Sequence, residues 1–412
     1  MPGIRILVAT THPTIVGGIE TYLCELIPAL RNRGYQVAIL TSTGNCAEGP
    51  RLYPPDPEVP SWELAGADPR VVFDAVEAWG PDVAYLHGLE DAADEEALVE
   101  RFPTVLFAHG HNATCVSGSR THAFPTYRPC NRQFGPACLF HYFPRRCGGR
   151  NPLTMIGLYR QARRRAELLS RYAAVVVASR SMADEYRAHG VPEDRLHRIP
   201  LFPTGVTPDS APTPRPGTGR VLMVGRLYPE KGGCLLVEAM DQAAARLGRP
   251  LRLIVAGNGP DQPRMEALAA RRGVPAEFHG WVGPDRRADL MRGADLLAIP
   301  SVCPETFGLS GTEAGCLGLP AVGFAVGGLL DWLAPGVSGE LAPDDPPTAA
   351  GLADAICRAL ADPVHLARLA TGARAMAHSY SREAHVAAVS ALLARAARQV
   401  PVAAQNAAAF SP

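Results

Sequence analysis

The sequence predicts an α/β protein of two Rossmann-like domains facing a central cleft, and three observations carry that expectation. A chain of 412 residues is too long for one ordinary core and suggests two domains of similar size. Short apolar runs of strand length alternate with segments of helical periodicity in both halves, a pattern that favours parallel sheets built from βαβ units. Between Leu201 and Arg220 the composition shifts to Pro, Thr, Ser and Gly, with five prolines from Pro203 to Pro216, which is the signature of a linker. The expected divisions are therefore 1–203 for the first domain, 204–219 for the linker and 220–378 for the second domain. The remainder, 379–412, is expected to be a helix that packs back on the first domain, followed by a short tail.

The first unit reads as strand, loop, helix, strand. Ile4 to Ala9 is the strand, and Thr10 to Gly18 is a polar loop that ends in glycine. Ile19, Tyr22, Leu23, Leu26, Ile27 and Leu30 then repeat at helical spacing and form one apolar stripe. Pro28 falls inside that stripe and predicts a kink. Gly34 is the stop, and Tyr35 to Leu40 is the second strand. Further strands read at Val83–Leu86, Thr104–Phe107 and Ala174–Val177, the last preceded by an arginine-rich helix over Pro152–Arg171. Beyond the linker the alternation restarts, with strands at Val221–Val224, Leu251–Ala256, Glu277–His279, Leu296–Pro300 and Ala321–Phe324. Helical patterns separate them, and three more, near Thr348–Leu360, Val364–Ala377 and Arg382–Arg398, finish the fold.

Bulk properties exclude several classes. Lysine plus arginine equals aspartate plus glutamate, 40 against 40, so nothing general points to nucleic acid or an acidic membrane. No run approaches the ~20 apolar residues of a membrane span. The N-terminus enters a strand directly and does not read as a signal peptide. Ten cysteines in that context argue for thiols or metal ligands in a reducing compartment, so the expected location is cytoplasmic.

The most informative stretch is Pro304 to Pro320, where Glu305 and Glu313 flank the turn Phe307-Gly308-Leu309-Ser310-Gly311. A buried strand precedes the turn and a helix begins within it, so unpaired N–H groups and the helix dipole face an incoming anion. On one continuous helix the two glutamates would lie about 12 Å apart along the axis, off a common face. With Glu305 in the loop, they can instead bracket a phosphate-bearing ligand, although exposed glutamates are more often simply solvated. The loop Thr14 to Glu20 follows the first strand, and its paired Gly17 and Gly18 let a ligand approach the backbone. Its spacing is not the GxGxxG of a dinucleotide site. Gly225 to Gly233 follows the first strand of the second domain and carries Arg226, a planar fork for phosphate, and Lys231, a compact charge.

Taken together and in this order, Gly17-Gly18-Ile19-Glu20, the run from Gly225 to Gly232, Ala256 to Pro260, and Pro304 to Leu309 with Glu313 resemble the retaining glycosyltransferases of family 4, which have the GT-B fold. The resemblance spans most of the chain. It implies a nucleotide-diphospho-sugar donor, with UDP favoured and GDP and ADP open, and a hydroxyl acceptor held mainly by the N-terminal domain. By the same resemblance, Arg226 and Lys231 would bind the donor diphosphate, and the Gly308 and Leu309 amides would hold phosphate or sugar. Gly17 and Gly18 would face the donor across the cleft. Glu305 would contact the donor sugar, Glu313 the ribose hydroxyls, and His109 the transferred sugar. No Asp-x-Asp motif stands at a strand end, so no metal or other cofactor is expected for transfer itself. Another GT-B activity, such as an epimerase or phosphorylase, and a non-catalytic sugar-nucleotide-binding or metal-sensing module remain alternatives.

An insert over 115–150 departs from the family pattern. It holds Cys115, Cys130, Cys138 and Cys147, with six arginines, two histidines and no carboxylate. Four thiolates could make a closed structural zinc site, against which stand buried free thiols and the lack of a CxxC knuckle. Its Arg128, Arg132 and Arg145 are expected near an anionic acceptor. The basic residues Arg160, Arg163, Arg164 and Arg165 on the following helix suggest either peripheral membrane contact or a solvated face.

Overall fold

The computed structural model describes residues 3–44, 51–53, 58–149, 151–206 and 217–399. The first part of the N-terminal half runs β1 (Arg5–Thr10), α1 (Gly18–Arg31), β2 (Gln36–Thr41), β3 (Ser61–Glu63), α2 (Pro69–Trp79), β4 (Val83–Leu86), α3 (Ala92–Arg101) and β5 (Thr104–Ala108). The insert contributes an antiparallel pair, β6 (Thr121–His122) and β7 (Arg128–Pro129), and α4 (Ala137–Arg145). The half then finishes with α5 (Pro152–Leu168), β8 (Ala174–Val177), α6 (Arg180–Ala188) and β9 (Leu196–Arg198).

Seven of these strands form one parallel sheet in the order β3-β2-β1-β4-β5-β8-β9. Strands β4 and β8 are buried along their whole length, which is why they read as unbroken apolar runs and not as alternation. The chain order reverses between β1 and β4, so the loops leaving those strands diverge and open a crevice at their carboxyl ends.

The C-terminal half repeats the plan. It begins with β10 (Arg220–Val224), a short 3-10 turn at Pro229–Lys231, α7 (Gly233–Leu247), β11 (Arg252–Ala256), α8 (Gln262–Arg272) and β12 (Ala276–Phe278). Next come α9 (Pro284–Arg292), β13 (Leu296–Ile299), α10 (Leu309–Cys316), β14 (Ala321–Phe324), β15 (Gly339–Ala342), α11 (Ala349–Leu360) and α12 (Pro363–His378). Its six strands are parallel in the order β12-β11-β10-β13-β14-β15, with the reversal between β10 and β13.

The last helix, α13 (Arg382–Ala396), is capped by Ser381, which accepts from the Ala384 N–H, and packs against α1, β4 and β5. His385 on it reaches Tyr22 Oη at 2.8 Å and the Pro200 carbonyl at 2.7 Å, so the helix bolts the N-terminal core to the chain leaving it. The expected linker has its ends held: the Gly205 N–H donates to Glu25 at 2.7 Å, and Asp295 accepts from Gly217 and Gly219. Residues 207–216 of that linker and the tail from 400 lie outside the described residues. Among the described residues, no helix is long and apolar enough to cross a membrane.

Candidate functional site in the cleft

A cleft of about 1010 Å³ lies between the two sheets at their carboxyl ends. Its C-terminal wall is built by the loops after β10 and β13, the pair at the reversal. Lys231 closes the 3-10 turn after β10, and its Nζ donates to Glu305 Oε1 at 2.6 Å. The Val302 N–H donates to the Glu230 carbonyl at 2.9 Å and ties the two loops together. Gly232 is required between them, because it sits at φ 70° and a Cβ there would lie 1.9 Å from the Pro300 carbonyl oxygen.

Glu305 also accepts from the Ser301 hydroxyl, four residues upstream. Burial alone would raise the Glu305 carboxyl; Lys231 and then Ser301 outweigh it, so its pKa is lowered and the residue stays ionised. Lys231 answers with a raised pKa: burial lowers it, and Glu305 more than restores it. Arg226 is exposed beside this pair, stacked at 5.6 Å on the Tyr228 ring, with no carboxylate partner among the described residues. A free guanidinium next to an already neutralised pair is an arrangement suited to an incoming polyanion.

The turn before α10 is locked from behind. Trp332 Nε1 donates to the Phe307 carbonyl at 2.7 Å, and the Gly328 N–H to the Glu305 carbonyl at 2.6 Å. Gly308 stands at φ 78°, and a Cβ on it would fall 2.6 Å from Leu329 Cδ2. The first N–H groups of α10, starting at Leu309, therefore face the cleft from a rigid turn.

Glu313, one turn into α10, is buried at 2% exposure and already engaged. The Thr204 hydroxyl donates to its Oε1 at 2.8 Å, and Arg287 Nη2 lies 3.4 Å from the same oxygen. Its pKa is raised, mainly by burial, against the opposing pull of Arg287 and Thr204. The sequence reading missed Ser301, Thr204 and Arg287. Ser301 was signalled by its place two residues after the end of β13, whereas Thr204 and Arg287 belong to distant segments that only the fold brings to Glu313.

The N-terminal wall carries Gly17, Gly18 and the loop after β5. Gly17 is extended, at φ −168°, so its backbone would accept any residue. A Cβ on Gly18 would lie 4.0 Å from Leu309 Cδ2, which makes this loop the direct neighbour of the α10 turn across the cleft. His109 stacks on Phe107, with ring centroids 4.4 Å apart, and its Nε2 lies 2.8 Å from His87 Nδ1. Burial, then the nearby His385, pushes His109 down to about 3, so the ring is neutral. His111, two residues on, is also buried in this wall and was not singled out by the sequence reading.

Cys115, Cys130, Cys138 and Cys147 are near enough that, after burial, the other three help push the Cys147 thiol up to about 12. Yet among the described residues no three His, Cys, Asp or Glu side chains are arranged to hold a metal, and the described cysteines are free thiols. Cys147 Sγ sits 3.8 Å from His122 Nδ1, and Cys115 Sγ 3.5 Å from Ser117 Oγ. Order comes from other anchors: Arg120 pairs with Glu185 at 2.6 Å, and the Phe134 N–H donates to His189 at 2.9 Å. Nor do Arg128, Arg132 and Arg145 line the cleft; from the insert, Gly118 and Ser119 do. On α5, Arg163, Arg164 and Arg165 pair with Glu167, Glu96 and Glu95, so much of that basic face is neutralised by neighbours.

Two doubly wound sheets, a cleft at their carboxyl ends and a helix that crosses back from the second domain to the first define the GT-B fold. A model for Glycosyltransferase Family 4 matches residues 16–203, and one for Glycosyl transferases group 1 matches residues 210–376. The chain belongs to this family. It is 34% identical over 252 residues to a D-inositol 3-phosphate glycosyltransferase of Xylanimonas cellulosilytica, covering 55% of this chain and 58% of that protein. It is 33% identical over 199 residues to a 2-deoxystreptamine glucosyltransferase of Streptomyces kanamyceticus, covering 44% and 50%. The chain thus spans about half the length of these curated relatives. Anabaena HepE, solved in complex with UDP and glucose, shares the fold at 19% identity and a TM-score of 0.68, over 95% of this chain and 100% of that one.

Proposed function

We propose that the protein is a retaining glycosyltransferase that moves a hexosyl group from a nucleoside-diphosphate sugar, with UDP the favoured nucleotide, to a hydroxyl of an acceptor. The observation that carries this reading is the C-terminal wall: a free Arg226, the part-buried Lys231–Glu305 pair and the N-terminus of α10 converge at the reversal point of the sheet. Breaking the anomeric bond leaves a diphosphate whose growing charge needs fixed cations and N–H donors. Electrostatic stabilisation of this kind commonly contributes more to rate enhancement than any other effect, with one lost donor worth about 3–4 kcal/mol. Arg226, Lys231 and the Gly308 and Leu309 amides fill that role. Glu305, kept ionised by Lys231, faces the sugar, His109 reaches it from the opposite wall, and Glu313 meets the ribose.

UDP is favoured by the family and by the UDP held in the Anabaena neighbour. The curated relatives act on D-inositol 3-phosphate and 2-deoxystreptamine, both polyhydroxylated six-membered carbocycles, which makes a cyclitol the first acceptor to try. The test is release of nucleoside diphosphate from a panel of UDP-, GDP- and ADP-sugars, with and without D-inositol 3-phosphate, in excess chelator. Turnover that survives chelation and yields a product of unchanged anomeric configuration supports the reading. Thermal stabilisation by a sugar nucleotide without any turnover would instead favour a binding module.

A further inference from the structure

Among the described residues, His111 alone has both ring nitrogens buried and without a hydrogen-bond partner. The residue is 5% exposed and forms part of the cleft wall. Its backbone is fixed on both sides: Tyr186 Oη donates to the Gly110 carbonyl at 3.0 Å, and the Thr114 N–H donates to the His111 carbonyl at 3.0 Å. A buried polar group left in this state is costly, and native proteins rarely keep one unless something else satisfies it.

The chemistry of the surroundings narrows what that is. Burial, and then the nearby Arg120, holds the ring down to about 4, so it is a neutral imidazole with one N–H donor and one lone pair. The Pro304 carbonyl, from the opposite domain, comes near enough to act as a weak acceptor toward the ring but is not aligned as a full hydrogen bond, and the Glu305 carboxylate likewise favours the charged ring. An anionic partner would only accept, and it would meet the charge of Glu305. An ammonium would only donate. Neighbouring hydroxyls can do both, and the two ring nitrogens point in divergent directions, so one hydroxyl cannot serve them both.

We propose that His111 is a ligand-contacting residue that grips a polyol beside Glu305, donating to one hydroxyl and accepting from another. The polyol is either the transferred sugar or the acceptor ring. The assignment rests on the transferase reading above.

The test uses the full chain as wild type, His111→Phe and His111→Asn, with UDP-glucose as donor probe and D-inositol 3-phosphate as acceptor probe. The phenyl ring fills the same space and removes the orphaned atoms, so His111→Phe is expected to melt at or above the wild-type temperature. Its kcat/KM is expected to fall 10- to 100-fold, with partial recovery in His111→Asn. A raised KM for UDP-glucose in acceptor-free hydrolysis places the transferred sugar on His111. Unchanged hydrolysis with a raised KM for D-inositol 3-phosphate places the acceptor there. Unchanged kinetics in His111→Phe, while the wild type turns over, would overturn this assignment alone. So would a large drop in melting temperature for His111→Phe together with wild-type kinetics for His111→Asn, since that marks a packing role. A wild type that neither releases UDP nor is stabilised by UDP-glucose would bring down the transferase reading, and this assignment with it.

Discussion

The two walls of the cleft are prepared in opposite ways. On the C-terminal wall the two carboxylates are satisfied before any ligand arrives: Lys231 holds Glu305, Ser301 supports it, and Thr204 and Arg287 hold Glu313. On the N-terminal wall His109 has one partner, and among the described residues His111 has no well-aligned hydrogen bond. A charged group must be neutralised in place, because an unpaired buried charge costs several kcal/mol. A neutral imidazole left unpaired costs less, so it can wait for its partner. Carboxylate charge is thus fixed by the protein on the C-terminal wall, and polarity is left incomplete on the other.

The largest break in this contrast comes from Lys231→Met. Turnover should fall by about 100- to 1000-fold, in line with loss of a transition-state donor. The protein should also lose about 3 kcal/mol in chemical denaturation, because the largely enclosed Glu305 carboxylate loses its cation and keeps only the Ser301 hydroxyl. Adding Glu305→Leu to that variant should restore most of the stability and none of the activity. If the single variant keeps full stability, the pre-neutralised wall is wrong.

His109→Phe comes next. It removes the partner of His87, whose Nε2 is already buried and unpartnered, so it should cost about 1–3 kcal/mol of stability as well as turnover. His111→Phe should not, and thermal melting of the pair separates the satisfied histidine from the waiting one. Glu313→Ala should raise the donor KM about tenfold with kcat little changed, as expected when binding is shared equally by ground and transition states. An unaltered KM would remove Glu313 from the nucleotide site.

The last test is in pH. Burial pushes His111 and His385 down to about 4 and His109 to about 3, and holds His87 well below its ordinary value of 6.5. Between pH 6.5 and those values the unfolded chain binds more protons than the folded one. Stability is therefore complete above pH 6.5 and is lost as the pH falls, by up to about 1.4 kcal/mol per pH unit for each histidine. Melting curves from pH 7.5 down to 5 check the sign, and a flat or rising profile on acidification would contradict it.

Much of this was legible before any coordinates. Strands β4, β8 and β14 lie where their apolar runs end, since a strand buried on both faces leaves no ambiguity of period. Helices α2, α3 and α6 escaped the reading: α3 is strongly acidic and buries Glu95 among its few apolar positions, and α6 spends two of its nine positions on arginine. Strands β3 and β9 are three-residue edge pieces defined by pairing alone. The cysteines left two readings open, because a count of thiols says nothing about the direction of their Cβ atoms. His111 was missed for a related reason. Its significance is the absence of a partner, which is a property of the assembled wall and not of the segment Ala108 to His111.

The path of α13 has a consequence for biosynthesis. Tyr22, Tyr85 and Phe107 are made early, but the helix that covers them is encoded at the far end of the chain. At translation rates of about 5–20 residues per second, the first domain waits roughly 10–40 s between its own last strand and the arrival of α13. During that interval the seat of His385 is open and apolar. The domain that is synthesised first is therefore the last to be completed, and a ribosome-stalled or truncated chain ending at residue 203 should engage chaperones where the full chain does not.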